Sequence, residues 1–260
     1  MHVHLPKALH GWREFAKEIA VIVVGVLIAL FLEQVVQRWE WREKVAAADA
    51  AMMSEMFYDD APEMLQRARM QPCINAQLDA IRAAVERDAA RAEVVGLIDR
   101  FYVPFLTYDS VAHNNATASD VATHMDRVRM GLWTGAYGMM PAVDAASAQE
   151  MIDTAQLRAL RRTGGPLSGL EQDRVLGSVE AVRNDGVRMI AGIGWAMLVI
   201  PKLHGHVNRA RYDGFMKTAR LHYGTCIRDL PADWPQTPLP RLPEGSAPGR
   251  TVPHSASAFS

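Results

Sequence analysis

The chain has 260 residues, with 28 Lys plus Arg against 29 Asp plus Glu and a formal net charge of −1. That length suits one main domain with an anchor and a tail. The balanced charge excludes the clustered positive surface of a nucleic-acid binder, and equally an acidic tail or a polybasic lipid-binding segment.

Residues Ile19 to Leu32 read IAVIVVGVLIALFL, fourteen residues without a polar side chain. A spanning helix needs about 20 apolar residues, so the run alone also fits a signal-peptide core or a buried helix. Val35 and Val36 resume the pattern after Glu33 and Gln34, extending it over residues 19–36, or about 27 Å of helix. Glu18 and Glu33 then lie near the two ends, where a charge costs less than at the midplane. Trp12 lies on one side and Trp39 and Trp41 on the other, roughly 40 Å apart along a helix, the spacing of aromatic belts at two interfaces. No small-x-small cleavage site follows.

These features predict an uncleaved transmembrane helix in a lipid bilayer over 19–36, after a short tail of residues 1–18. Gly25 and Ala29 make a small-x-x-x-small face, which permits close packing with a second copy or another membrane protein. The positive-inside count is a tie: Lys7, Arg13 and Lys17 stand against Arg38, Arg42 and Lys44.

The stretch Trp12-Arg-Glu-Phe-Ala-Lys-Glu-Ile-Ala-Val-Ile-Val-Val-Gly-Val-Leu-Ile-Ala-Leu, with Glu33-Gln34 and the Trp-x-Trp of 39–41, resembles the start of a group of uncharacterised bacterial membrane proteins. Those proteins share an anchor of the Glu-Ile-x-x-Val-x-x-Gly-Val-Leu-Ile-Ala-Leu type, followed by a helical extracytoplasmic domain of unknown function. The similarity is close over residues 12–45 and loose beyond, through the Pro-Cys-Ile-Asn-Ala-Gln-Leu-Asp-Ala of 72–80 and the lone cysteine near the C-terminus. It implies a single-pass inner-membrane protein with a cytoplasmic N-terminus and residues 37–230 in the periplasm. It implies no activity.

The helical pattern continues past the anchor. Trp41, Val45, Ala48, Met52 and Met56 recur at three and four residues, widened by Ala46, Ala50, Met53 and Phe57. No Gly or Pro falls between Val26 and Ala61, so anchor and first domain helix are predicted as one rod. Asp60 before Ala61-Pro62 predicts a cap with Pro62 in the first turn, hence a break or kink. Pro72 is expected to open a second helix to Asp88, with Ile74, Leu78, Ile81 and Val85 inward. Val94–Phe101 reads as a short helix, and Pro104 and 109–115 as loop. An irregular helix is expected from Asp126 to Arg162, with Ile152, Ala155, Ala159 and Leu160 on one side.

Arg162-Thr-Gly-Gly-Pro reads as a connector. Ser168-Gly-Leu-Glu171 is a capping box. It opens a helix striped by Val175, Val179, Val182, Gly186, Met189, Ile193, Met197 and Ile200, ended or bent by Pro201. Within it, Met189–Ile200 is apolar throughout, but about 18 Å is short for a second span, and a bundle helix is expected. A last helix covers about Val207 to Cys226. Residues 231–260 are rich in Pro, Ser, Gly and Thr and are predicted as a disordered tail. The expected fold is all-α: the anchor helix running on into an irregular antiparallel bundle.

Candidate chemistry is sparse. Cys73 and Cys226 are the two cysteines; in an oxidising compartment a bridge would tie the second helix to the last, and otherwise they are two buried thiols. His204, His206 and His222 are weak candidate metal ligands, with His222 four residues before Cys226. Asp59-Asp60 reads as capping rather than a catalytic dyad. Asp109-Ser-Val-Ala-His113 lacks a nucleophile elbow. No cofactor motif is present. The reading is a non-catalytic module for binding, scaffolding or sensing; the alternative is a membrane-tethered metal-dependent hydrolase built on the three histidines.

Overall fold

A computed structural model of the chain describes residues 11–160 and 165–227. All of its regular elements are helical, with no strand among the described residues, and the all-α expectation holds. The predicted tail at 231–260 and the core of the 162–166 connector lie outside the described residues.

Helix α1 spans Trp12–Ser54 and passes through a six-residue π segment, Glu55–Asp60, directly into α2, Ala61–Glu86. The whole is one 75-residue helix, about 110 Å long. Residues 11–40 are exposed throughout, and this segment is long and apolar enough to cross a membrane.

The break expected at Asp60-Ala61-Pro62 does not occur. Pro62 lies in the first turn of α2, where its missing N–H is harmless. The irregularity is instead a π turn, in which the N–H of Ala61 bonds to the carbonyl of Met56, five residues back. That spacing puts Met56 and Ala61 on one inward face, so the buried stripe of α1 continues into that of α2. Pro72 does not open a helix either; it sits exposed inside α2. Ile74, Leu78, Ile81 and Val85 are buried as expected.

After α3 (Arg91–Arg100), residues 101–110 form a non-helical strap, with Phe101, Val103, Leu106 and Tyr108 buried. Helix α4 (Val111–Ala118) replaces the loop expected there, and a short α5 (Val121–His124) follows. The single helix expected over 126–162 is two: α6 (Arg127–Tyr137), capped by Asp126, and α7 (Met140–Ala159), with Pro141 in its first turn. The chain breaks just before Met140-Pro141, because a proline is harmless in the first turn of a helix and disruptive in its interior.

The capping box at Ser168 and Glu171 opens α8 (Gly169–Val199), and a 3₁₀ turn at Ile200–Leu203 ends it at Pro201. Its predicted stripe is buried apart from the half-buried Met197, while Trp195 and Leu198 face outward. Helix α9 (Arg209–Tyr223) ends in a 3₁₀ turn that carries Cys226.

Pairings fix the directions. Arg67–Met189, Asp79–Arg183 and Arg82–Glu180 run in opposite senses, so α8 is antiparallel to α2. Asp59–Arg211, Gln66–Phe215 and Cys73–Cys226 rise together, so α9 is parallel to α2. The Cys73–Cys226 disulfide is formed, with Cα atoms 5.9 Å apart across 153 residues of sequence. A loop of that size corresponds to about 5 kcal/mol in the chain-entropy account.

Helices α7 and α8 approach closely at Gly192, where an added Cβ would lie 2.5 Å from Cγ2 of Val143. Gly177 on the same helix has nothing within 4 Å. Gly192→Ala is therefore expected to destabilise by about 1–3 kcal/mol through overpacking, whereas Gly177→Ala should be neutral or stabilising by up to about 1 kcal/mol. Thermal melts followed by circular dichroism, run side by side, check the contrast.

Candidate functional site

The strap at 101–110 accounts for one group of inward-facing polar side chains. A non-helical backbone inside a bundle leaves its N–H groups without helical partners, and each must be met by something else. Here side chains meet them. Leu106 N–H donates to Ser147 Oγ (3.1 Å), Tyr108 to Asp144 Oδ1 (2.9 Å) and Asp109 to Asp60 Oδ1 (3.2 Å), and just beyond the strap Ala112 donates to Glu55 Oε2 (2.9 Å). Asp60 is thus neither a cap nor half of a catalytic dyad. Asp59 points elsewhere and pairs with Arg211 at 2.9 Å.

This service has an electrostatic cost. Burial, with Glu55, Asp109 and Glu63 nearby, pushes Asp60 up to about 8. Burial also raises Glu63 to about 7, against the opposing pull of Arg211. Both exceed the usual carboxylate range near 4. Between about pH 4 and pH 8 the folded chain consequently holds more protons than the unfolded one. Stability is fullest at the acidic end of that window and is lost as pH rises through about 8. The melting temperature should fall by several degrees from pH 6 to pH 8.5. Asp60→Asn, which retains an acceptor for the Asp109 N–H, should remove at least half of that slope in a pH series of thermal melts.

A second polar group divides the core. One apolar cluster lies toward the disulfide and includes Leu78, Val85, Phe101, Leu157, Val179 and Ile227. The other lies toward the anchor and includes Met52, Met56, Trp133, Val143, Ile193 and Leu203. Between them sit Arg67, Glu150 and Asp185, all at 1% exposure or less. Arg67 donates to Glu150 Oε1 at 2.6 Å and to Met189 Sδ at 3.0 Å. Burial raises Glu150 to about 7 although Arg67 draws it down. Asp185 is raised too, by burial first and also by its hydrogen bond with Asp153, while Arg188 lowers it.

Stranding one member of a fully buried ion pair is costly, and replacing both by apolar residues of similar size is not. Glu150→Leu should cost about 3–5 kcal/mol. Arg67→Met/Glu150→Leu should recover most of that loss in denaturant unfolding of the two variants.

The third feature is a cleft of about 800 Å³ between α1 and the α5–α6 corner. Its α1 wall carries Gln34, Gln37, Arg38, Trp41, Arg42, Val45, Ala46 and Asp49; His124, Met125, Asp126 and Arg129 face them. Trp41 stacks on His124 at 3.9 Å between ring centroids, and Lys44 Nζ lies 4.7 Å from the same indole. Asp49 is occupied. It accepts from Arg129 Nε (2.7 Å) and Nη2 (2.9 Å) and from Trp133 Nε1 (2.7 Å). Burial pushes Asp49 up, but these bonds outweigh it and hold it below the usual range.

Of the residues singled out in the sequence, Trp12 and Trp39 are exposed, as a lipid-facing belt requires. Trp41 is not; its ring is half-buried in the cleft. Gly25 and Ala29 are exposed, with open space at Gly25. Cys73 and Cys226 are bonded to each other. The three histidines do not converge. His204 and His206 precede α9 and His222 lies in its last turn, about 20 Å away along the helix, and His222 stacks on Tyr102 at 3.7 Å. Among the described residues no three His, Cys, Asp or Glu side chains are grouped to hold a metal ion. The histidine-based hydrolase therefore lacks its geometry.

Sequence reasoning missed the cleft. Its signal in the sequence is the i, i+4 pair Arg38 and Arg42 beside Trp41. Comparison with protein-family models, with curated proteins and with solved structures gives no match.

Proposed function

We propose that the chain is a single-pass membrane protein that holds a non-catalytic helical module for binding, scaffolding or sensing at the periplasmic face of a bacterial inner membrane, with its N-terminus cytoplasmic. The observation that carries this reading is the unbroken helix from the exposed apolar segment at 19–36 into the bundle core at Met52 and Met56. An apolar surface that contacts nothing else in the chain is expected to be covered by lipid or by another apolar helix. Gly25 and Ala29 offer a face on which a second copy or a membrane-protein partner could pack.

The disulfide supports an oxidising compartment, because such bridges rarely persist in a reducing cytosol. A non-catalytic role is supported by how three of the inward-facing acids are used: Glu55, Asp60 and Asp144 hold backbone N–H groups of the strap and its exit. The resemblance of residues 12–45 to uncharacterised bacterial inner-membrane proteins points the same way.

Membranes washed with carbonate should retain the chain, and both cysteines should resist an alkylating reagent until reductant is added. Release by carbonate would overturn the anchoring. Free labelling without reductant would overturn the periplasmic placement.

A further inference from the structure

We infer that the cleft at the foot of the bundle binds the phosphate headgroup of an anionic phospholipid whose acyl chains remain in the bilayer beside α1. This rests on the membrane anchoring proposed above. The apolar stretch ends at Val36, so Arg38 and Arg42 follow it by two and six residues, about 3 and 9 Å along the helix. The polar layer of a bilayer leaflet is about 5–8 Å deep. Arg38 accordingly lies within that layer and Arg42 at its outer edge, with helix geometry tilting both side chains back toward the membrane.

They are one turn apart on the same face of α1, both exposed, and no ion pair engages either among the described residues. Like charges at i, i+4 repel, and a phosphate between them would turn that repulsion into two charge-assisted contacts. Glu40 and Glu43 do not serve instead; at 100° per residue both lie about 100° or more around α1 from the arginines. Of the two acidic residues in the cleft wall, Asp49 is already bound by Arg129 and Trp133, and Asp126 caps α6, its Oδ1 accepting from the Arg129 N–H at 2.9 Å.

The remaining wall suits a lipid. Trp41, held flat by its stack on His124, gives an amphipathic surface for the glycerol region, as interfacial indoles do. Gln34 and Gln37 line the wall at the end of the apolar segment; Gln37 Nε2 donates to Glu33 Oε1 at 3.3 Å, which leaves the Gln34 amide and the second Gln37 N–H as donors for ester oxygens. The cleft opens along α1 from the end of the apolar segment upward, so a lipid can enter laterally without leaving the membrane.

The test uses the full-length chain purified in detergent with its disulfide intact, titrated with phosphatidylglycerol and, separately, phosphatidylcholine, and followed by native mass spectrometry. Phosphatidylglycerol should bind at one saturable site. Arg38→Gln/Arg42→Gln should weaken it roughly 30-fold, from two basic contacts at about 1 kcal/mol each. Phosphatidylcholine should bind more weakly and be little affected by the substitutions. An equal melting temperature for the variant confirms that its fold is kept. Unchanged affinity in the variant overturns the inference, as does equal binding of the two lipids. Displacement of the lipid by glycerol 3-phosphate at matching concentration overturns it too, by assigning the site to a soluble phosphate. Carbonate release of the wild-type chain would refute the anchoring alone, because the detergent titration judges the cleft independently.

Discussion

The rest of the bundle depends on a strap that cannot satisfy its own backbone. Between its two ends, which cap α3 and open α4, the strap at 101–110 crosses the domain in non-helical conformation, yet Phe101, Val103, Leu106 and Tyr108 are buried. Their burial is tolerable because side chains on three different elements accept the N–H groups of the strap and its exit: Glu55 and Asp60 from the π segment, Gln77 from α2, and Asp144 and Ser147 from α7. At its start, Arg158 donates to the carbonyl of Phe101 and Tyr223 to that of Tyr102. The strap therefore couples the long helix, α7 and α9. Carboxylates that look like an active site in isolation are the means by which an irregular segment is kept inside a core.

The Arg67–Glu150 pair plays a different part. An apolar interface between helices can slide by a turn at modest cost, whereas a buried guanidinium facing one carboxylate at 2.6 Å has one acceptable register. That pair, with Met189 against Arg67, sets α2, α7 and α8 relative to one another. Gly192 then allows α7 and α8 to touch at the level of Val143. Farther from the anchor, the disulfide fixes the parallel partner α9 on α2. Polar specificity and covalent closure thus act at separate levels of one bundle.

Legibility in the sequence followed the chemistry of each helix face. The stripes of α1, α2 and α8 are apolar, and hydrophobic periodicity located all three. It failed on α7, where Ile152, Ala155 and Ala159 looked like the core face and are exposed. The buried face of α7 is Ser147, Glu150, Asp153 and Thr154, with Val143, Ala146 and Leu157. No periodicity of apolar residues can find an inward face made of carboxylates and hydroxyls, because their partners are distant in sequence. The same reason hid the roles of Asp60 and Asp144. Proline misled in the other direction: Pro62 and Pro72 read as boundaries, but one occupies a first turn and the other an exposed position within α2. The cysteine bridge was legible as a candidate pair, since the chain has only two cysteines.

The π segment joins these observations to the anchor. A regular α-helix through residues 52–65 would rotate the inward face progressively off the bundle; one i+5 step at Met56–Ala61 resets it. The same step falls where Asp60 meets the strap and Asp59 meets Arg211 of α9. Arg211 in turn lies over the rings of Tyr58 and Phe215, at 5.7 and 5.2 Å. The turn of the rod with the weakest intrinsic geometry is therefore the one gripped from the most directions. A helix held in this way does not swivel at its junction with the bundle, so the orientation of residues 12–45 around the helix axis is set by the bundle. That is why Arg38, Trp41 and Arg42 face the α5–α6 corner, and why Trp39, two residues from Trp41, faces away from it.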